Sequence, residues 1–401
     1  MKISKRIGAL EESQSLQMAA RCQQLRAEGV DVISMSLGEP DFPAPAHVKE
    51  AAKKAVDDDF SHYGPTPGFP SLRQAIAKTL NDELAAYPVR PYDANEIIVS
   101  VGAKQAICNA IQALIDPDDE VILPTPCWVS YVEMVKLAEG KSVLVKTSME
   151  NNYCITPEQL EAAITPKTRL VLICTPNNPT GAVYSYEQLA ALVEVLKRHP
   201  QISIIADEIY EHILYTGKHQ SLGQFPEIED RLIIINGVSK AYAMTGYRIG
   251  WMACHDKGVI GACKRLQGQM ITCATTIAQK AAEAAYTGPQ ECVAEMREAF
   301  RRRRELIVKL AKEIPGMKIV EPDGAFYLFP DISAYFGKSF NGQTIHNANE
   351  LVDYLLNYAH VACVSGSAFG EDNSIRFSYA TSEDKITEAM HRVKDALAKL
   401  Q

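Results

Sequence analysis

Between residues 95 and 254 the chain alternates short apolar runs with helical patterns. Seven runs, largely β-branched and mostly closed by turn residues, begin near Asn95, Asp119, Gly140, Thr168, Ile202, Arg231 and Arg248. Near-continuous apolar strands of this kind predict a sheet covered on both faces, and alternation with helices makes the sheet mainly parallel. Helices are predicted over Gln105 to Ile115, where Ile107, Ile111, Leu114 and Ile115 share one side, and over Tyr186 to Arg198. Thr156 with Gln159, and Ser185 with Gln188, have the spacing of capping boxes.

From about Gly288 the texture changes to a long charged helical stretch. Shorter strands then follow near Met317 to Pro330, Val361 to Phe369 and Ser374 to Ala380, with a closing helix from Ser382. The expected organisation is an α/β domain over residues 46–288, an α+β domain over 289–401, and an N-terminal segment, 1–45, packing with the smaller domain. The run Arg301 to Arg304 sits among Glu295, Glu298 and Glu305, which reads as a solvated or inter-lobe helix face.

Composition narrows the function classes. With 47% hydrophobic and 22% charged residues over 401 positions, a folded globular protein is expected. A net charge of −8 argues against a polyanion as partner. The ten cysteines form no C-x-x-C pair and no histidine stands at zinc-ligand spacing, so no metal site and no disulfide framework is expected. No apolar stretch is long enough to span a bilayer, and the cytoplasm is the expected location.

In a wound α/β sheet, ligands bind beyond the carboxyl ends of the strands. There the chain carries Gly102-Ala103-Lys104 opening a helix, Trp128, Asn177 and Asn178 in T-P-N-N-P-T-G, Asp207 with Tyr210, and Lys240 in G-V-S-K-A-Y-A-M-T-G-Y-R-I-G. A helix start favours an anion, a lysine amine condenses with an aldehyde, and a carboxylate pairs with a ring nitrogen. These are the needs of pyridoxal phosphate. D-E-I-Y, N-N-P-T-G and the lysine segment, with S-L-G-E-P-D-F at Ser36, Y-G-P-T-P-G at Tyr63, P-D-G-A-F-Y at Pro322 and I-R-F-S-Y-A at Ile375, resemble the signatures of class I aminotransferases of the aspartate aminotransferase type.

The resemblance covers essentially the whole chain and implies fold type I, pyridoxal 5′-phosphate as cofactor, and a homodimer with shared active sites. It implies that Lys240 bonds the cofactor and moves the proton, that Asp207 pairs with the ring nitrogen, and that Asn178 and Tyr210 hold the ring's phenolic oxygen. Trp128 would stack on the ring and contact substrate; Ala103, Lys104, Ser239 and Arg248 would surround the phosphate, with Tyr63 reaching that of the neighbouring subunit. Arg376, Gly38 and Asn178 would bind the substrate's α-carboxylate end. The implied activity moves an amino group from an L-amino acid (aspartate first, then aromatic residues or alanine) to a 2-oxo acid such as 2-oxoglutarate by a ping-pong mechanism; a carbon-sulfur β-lyase is the alternative on the same scaffold.

Two departures stand out. Gly237 occupies the place, three before the lysine, where many relatives have serine, and the segment from Gly268 carries no arginine for a distal carboxylate, leaving Lys104 for that task. A serine hydrolase reading of G-V-S-K-A lacks the final glycine of the elbow, and Gly140-Lys141-Ser142 and Gly337-Lys338-Ser339 lack the earlier glycine of a P-loop. No DNA-binding segment is expected ahead of residue 1.

Overall fold

The computed structural model describes residues 2–401. All seven predicted runs form strands of one sheet: β1 (Ile97–Val101), β2 (Glu120–Thr125), β3 (Lys141–Lys146), β4 (Thr168–Cys174), β5 (Ser203–Asp207), β6 (Leu232–Gly237) and β7 (Ile249–Ala253). Their order is β1-β7-β6-β5-β4-β2-β3. β7 runs antiparallel to both its neighbours, and every other pairing is parallel. Six strands therefore share one direction.

Alternate side chains enter separate cores, as a two-faced sheet requires. Val171, Ile173, Ile204 and Ile234 join one cluster, whereas Leu170, Leu172, Ile205 and Ile233 join the other. Edge strand β3 departs from full coverage: Leu144 is 52% exposed, and a lysine stands at each end of the strand. Such charge discourages pairing with a second sheet edge.

Helix α1 (Gly102–Leu114) follows β1 without a loop, three residues earlier than its apolar spacing predicts. Helix α2 (Ser130–Leu137) follows β2, and α3 (Tyr186–Lys197) starts from the capping box of Ser185 and Gln188. The box at Thr156 and Gln159 forms as well.

Beyond residue 288 runs the 22-residue helix α4 (Glu291–Lys312). The strands that follow are shorter than expected: Tyr327–Leu328, Val364–Ser365 and Ile375–Ser378 form one small antiparallel sheet. Pro322, Pro330 and the left-handed backbone of Ala325 interrupt the first of them. A helix at Ala348–Tyr358, capped by Asn347, was not anticipated. Ile33–Ser34 pairs in parallel with Val361–Ala362, and Ile33 and Met35 lie in the same apolar cluster as Phe326, Leu355 and Val393.

The arginine run divides. Arg301 and Arg302 are solvated and pair with Glu298 and other acids. Arg303 points inward, 9% exposed, and meets Asp41 at 2.6 and 3.0 Å; Arg304 donates to the Pro322 carbonyl at 2.5 Å. A helix turns about 100° per residue, so four successive side chains cannot share one solvated face.

Candidate active site

The carboxyl ends of β1, β2, β4, β5 and β6 open on a cavity of about 360 Å³. At the end of β1, Gly102 has φ +77°, and a Cβ there would strike the Arg248 guanidinium. The left-handed backbone favours glycine, and the missing side chain leaves the guanidinium its place. The chain enters α1 at once, so Ala103 and Lys104, which line the cavity, stand in the first turn, whose N–H groups have no intrahelical partners.

Arg248 is itself left-handed at φ +56° and donates to the Thr245 carbonyl at 2.8 Å, which aims its cation at that helix start. The close approach is secured by two glycines: Gly237 faces Gly250 across β6 and β7, and Gly250 in turn abuts the Ala103 backbone. A Cβ on Gly237 would lie 2.7 Å from the Gly250 Cα. This packing explains why serine is absent at position 237.

Asp207, at the end of β5, is 3% exposed. Its Oδ2 accepts from the Tyr131 hydroxyl at 2.5 Å and its Oδ1 from the Ile209 N–H at 3.3 Å. Burial pushes the carboxyl up to about 6, and the Tyr131 hydrogen bond opposes that rise. Lys240, just past β6, is pushed by burial down to about 8, with Glu39 acting in the opposite sense, and its Nζ donates to the Gly38 carbonyl at 2.5 Å. The amine therefore gives up its proton near pH 8, far more readily than an ordinary lysine.

Arg376, 2% exposed on the small sheet, donates to Asn178 Oδ1 at 2.8 Å and to the Ser36 carbonyl at 2.6 Å. Its Nε is buried without a partner. Tyr210 and Tyr327 share a hydroxyl hydrogen bond of 2.7 Å, and the Arg376 guanidinium lies 4.5 Å from the Tyr327 ring centre. A Cβ on Gly38 would collide with the Tyr327 hydroxyl, so glycine is required there too.

Eleven of the twelve expected residues line this one cavity: Gly38, Ala103, Lys104, Trp128, Asn178, Asp207, Tyr210, Ser239, Lys240, Arg248 and Arg376. Tyr63 does not, and it is 88% exposed. Sequence reasoning assigned nothing to Tyr131, Cys174, Ser13, Ser15 or Tyr327, which also line it. Tyr327 lay within a quoted motif. Tyr131 carried a weaker signal, standing three residues after Trp128 and so on the same side of the chain as it enters α2.

A second cavity, of about 450 Å³, gathers Glu83, Glu208, Glu211, His212 and His219. Their ligand atoms fall into two triads sharing Glu211, each within 4.8 Å, a cluster that no metal-ligand spacing in the sequence announced. Burial pushes the Glu83 carboxyl up to about 8 and that of Glu211 up to about 7.

A doubly wound domain with a lysine, a carboxylate and an anion-binding helix start converging beside a buried arginine defines a group-transfer enzyme of the fold type I class. The chain belongs to the family of class I and II aminotransferases, whose model matches residues 30–393. It is 45% identical to an aspartate aminotransferase of Geobacillus stearothermophilus, with 98% of each chain covered. An aspartate/prephenate aminotransferase of Nitrosomonas europaea is 41% identical over 99% of this chain and all of that one. Among solved structures, an aspartate aminotransferase from Rhizobium meliloti superposes with a TM-score of 0.95 at 41% identity, covering both chains fully. One from Thermus thermophilus with maleate gives 0.91 at 40% identity, over 99% of this chain and 100% of that one.

Proposed function

We propose that this aminotransferase transfers the amino group of L-aspartate, and of other L-amino acids less readily, to 2-oxoglutarate by a ping-pong mechanism that depends on pyridoxal 5′-phosphate. The donor set fits that cofactor: a depressed amine at Lys240, a buried carboxylate at Asp207, and the helix start with Arg248 and Ser239 for a phosphate. When bound, the cofactor supplies an aldehyde and an electron-accepting ring.

The chain's own residues do the rest. Lys240 Nζ would hold the cofactor through its aldehyde and would then take and return a proton at the substrate's Cα. Asp207 would hold a proton on the ring nitrogen, Tyr210 and Asn178 would donate to the phenolic oxygen, and Trp128 would pack on the ring. Arg376 grips the α-carboxylate through two of its N–H groups beside the Gly38 backbone. Lys104, with Nζ 4.8 Å from the Trp128 ring centre, would meet a distal carboxylate. Dicarboxylate preference is supported by the relatives' names and by the maleate in the Thermus enzyme. A carbon-sulfur β-lyase finds no support among them.

Residues 46–288 make the large domain in this reading, and 289–401 with segment 1–45 the small one. The protein acts as a homodimer, with Tyr63 completing the partner's phosphate site. Support comes from the exposure of Tyr63 and from an apolar cavity of about 460 Å³ beside the site, lined by Leu10, Val101, Met134, Met270 and Ile271. Ten free cysteines favour a reducing compartment, the cytoplasm. Among the described residues, no helix is long and apolar enough to cross a membrane.

The depressed amine of Lys240 beside Asp207 carries the proposal. Lys240→Ala is expected to lose the absorbance of covalently held cofactor and at least 1,000-fold in kcat, on the order of 4 kcal/mol. Glutamate formation from aspartate and 2-oxoglutarate measures the activity; pyruvate and ammonia from cystathionine, without glutamate, would replace transamination with elimination.

A further inference from the structure

We propose that Tyr131 is a positioning residue for the electron-accepting ring: its hydroxyl holds the Asp207 carboxylate as an anion and so keeps the shared proton on the cofactor's nitrogen. The inference rests on the cofactor assignment above. It begins with the hydrogen bond of 2.5 Å from the Tyr131 hydroxyl to Asp207 Oδ2, the shorter of the two the carboxylate accepts. Tyr131 is 1% exposed, and burial followed by the nearby carboxylate pushes its phenol well above the usual range. It therefore stays a donor across the working pH range.

Its placement is rigid. Tyr131 lies in the first turn of α2, within the apolar cluster that also holds Cys127, Val135 and Cys174, and its ring meets that of Trp128 edge-on at 90° with centres 5.4 Å apart. One chain segment thus delivers both the ring-facing indole and the donor behind the carboxylate. A change in α2 moves the two together.

The direction of the effect follows from acid-base competition. A carboxylate and a pyridine nitrogen that share one proton leave it on the more basic partner. A donor to the carboxylate lowers its basicity, and removal of that donor inside a dry pocket raises it. Without Tyr131 the proton moves toward Asp207 and the ring loses its positive charge. The nitrogen at the Lys240 linkage then binds its own proton more tightly, because a neighbouring cation has gone.

Tyr131→Phe preserves the ring and deletes the donor. In the holoenzyme, the pH midpoint of the bound cofactor's absorbance is expected to rise by about one unit, equivalent to about 1.4 kcal/mol. With nitrogen-15 in the cofactor ring, its resonance should move toward that of neutral pyridine. Turnover should fall about tenfold while KM for the amino acid stays within twofold. Tyr131→His, which keeps an N–H in the same region, should restore part of the midpoint, and it stands in for the test should Tyr131→Phe not fold. A role in packing alone would lower thermal stability with the midpoint and nitrogen shift unchanged, and that result overturns the proposal. Wild-type protein that takes up no pyridoxal phosphate would instead overturn the cofactor assignment.

Discussion

In the proposed reaction Lys240 and Arg376 carry opposite demands on one small site: the amine must lose its proton, and the guanidinium must keep its charge while buried. Burial lowers both, but only the lysine starts close enough to neutrality for this to matter. Protein stripped of cofactor should therefore capture pyridoxal phosphate faster as pH rises, about tenfold per unit below pH 8 and level above it, because the neutral amine is the nucleophile. Stopped-flow absorbance would reveal a rate that keeps climbing from pH 8 to 10, with no plateau, if the lysine is not depressed. For Arg376, substitution by lysine loses the paired geometry toward a carboxylate while Asn178 Oδ1 and the Ser36 carbonyl lose donors. Arg376→Lys should raise KM for aspartate about 100-fold, near 2.7 kcal/mol, in steady-state assays. An unchanged KM would place the carboxylate elsewhere.

Elements matter here through how closely their backbones approach. β6, β7 and the start of α1 meet at Gly237, Gly250 and Ala103 with no side chain between them, and this contact sets Arg248 beside the N–H groups of the helix start. Gly237→Ser should destabilise this chain by about 1–3 kcal/mol, because its Cβ meets the Gly250 Cα and the Ile249 carbonyl. Thermal unfolding would register the loss, and an unchanged melting temperature would mean that the strands part freely. The seven strands could be read ahead of the structure because each is a dense apolar run, and a sheet with two buried faces allows little else. The short strands near Tyr327 and Val364 were legible only in outline, since their pairing comes from residues distant in sequence.

For the whole molecule, the proposed homodimer sets the prediction. A cavity open beside apolar Met270 and Ile271, and a tyrosine 88% exposed in a motif shared with enzymes of this family, make a single chain look incomplete. Sedimentation should give about 88 kDa, twice the chain mass of 44.2 kDa. Tyr63→Phe should weaken pyridoxal phosphate binding about tenfold, on the order of 1.4 kcal/mol, with no change in the fold of either protomer. A fully active species of one chain would remove the need for sharing.

Sequence by itself determined the seven strands of the large sheet, two of the helices between them and eleven of the cavity's residues, because dense apolar runs mark the strands and strand ends are chemically marked. Tertiary structure decided the rest. The antiparallel course of β7, the inward turn of Arg303 toward Asp41, the glycine contact that excludes serine at 237 and the bond from Tyr131 to Asp207 all depend on groups far apart along the chain. Periodicity reports which side of its own element a residue faces; it carries no information about what another element brings to meet it.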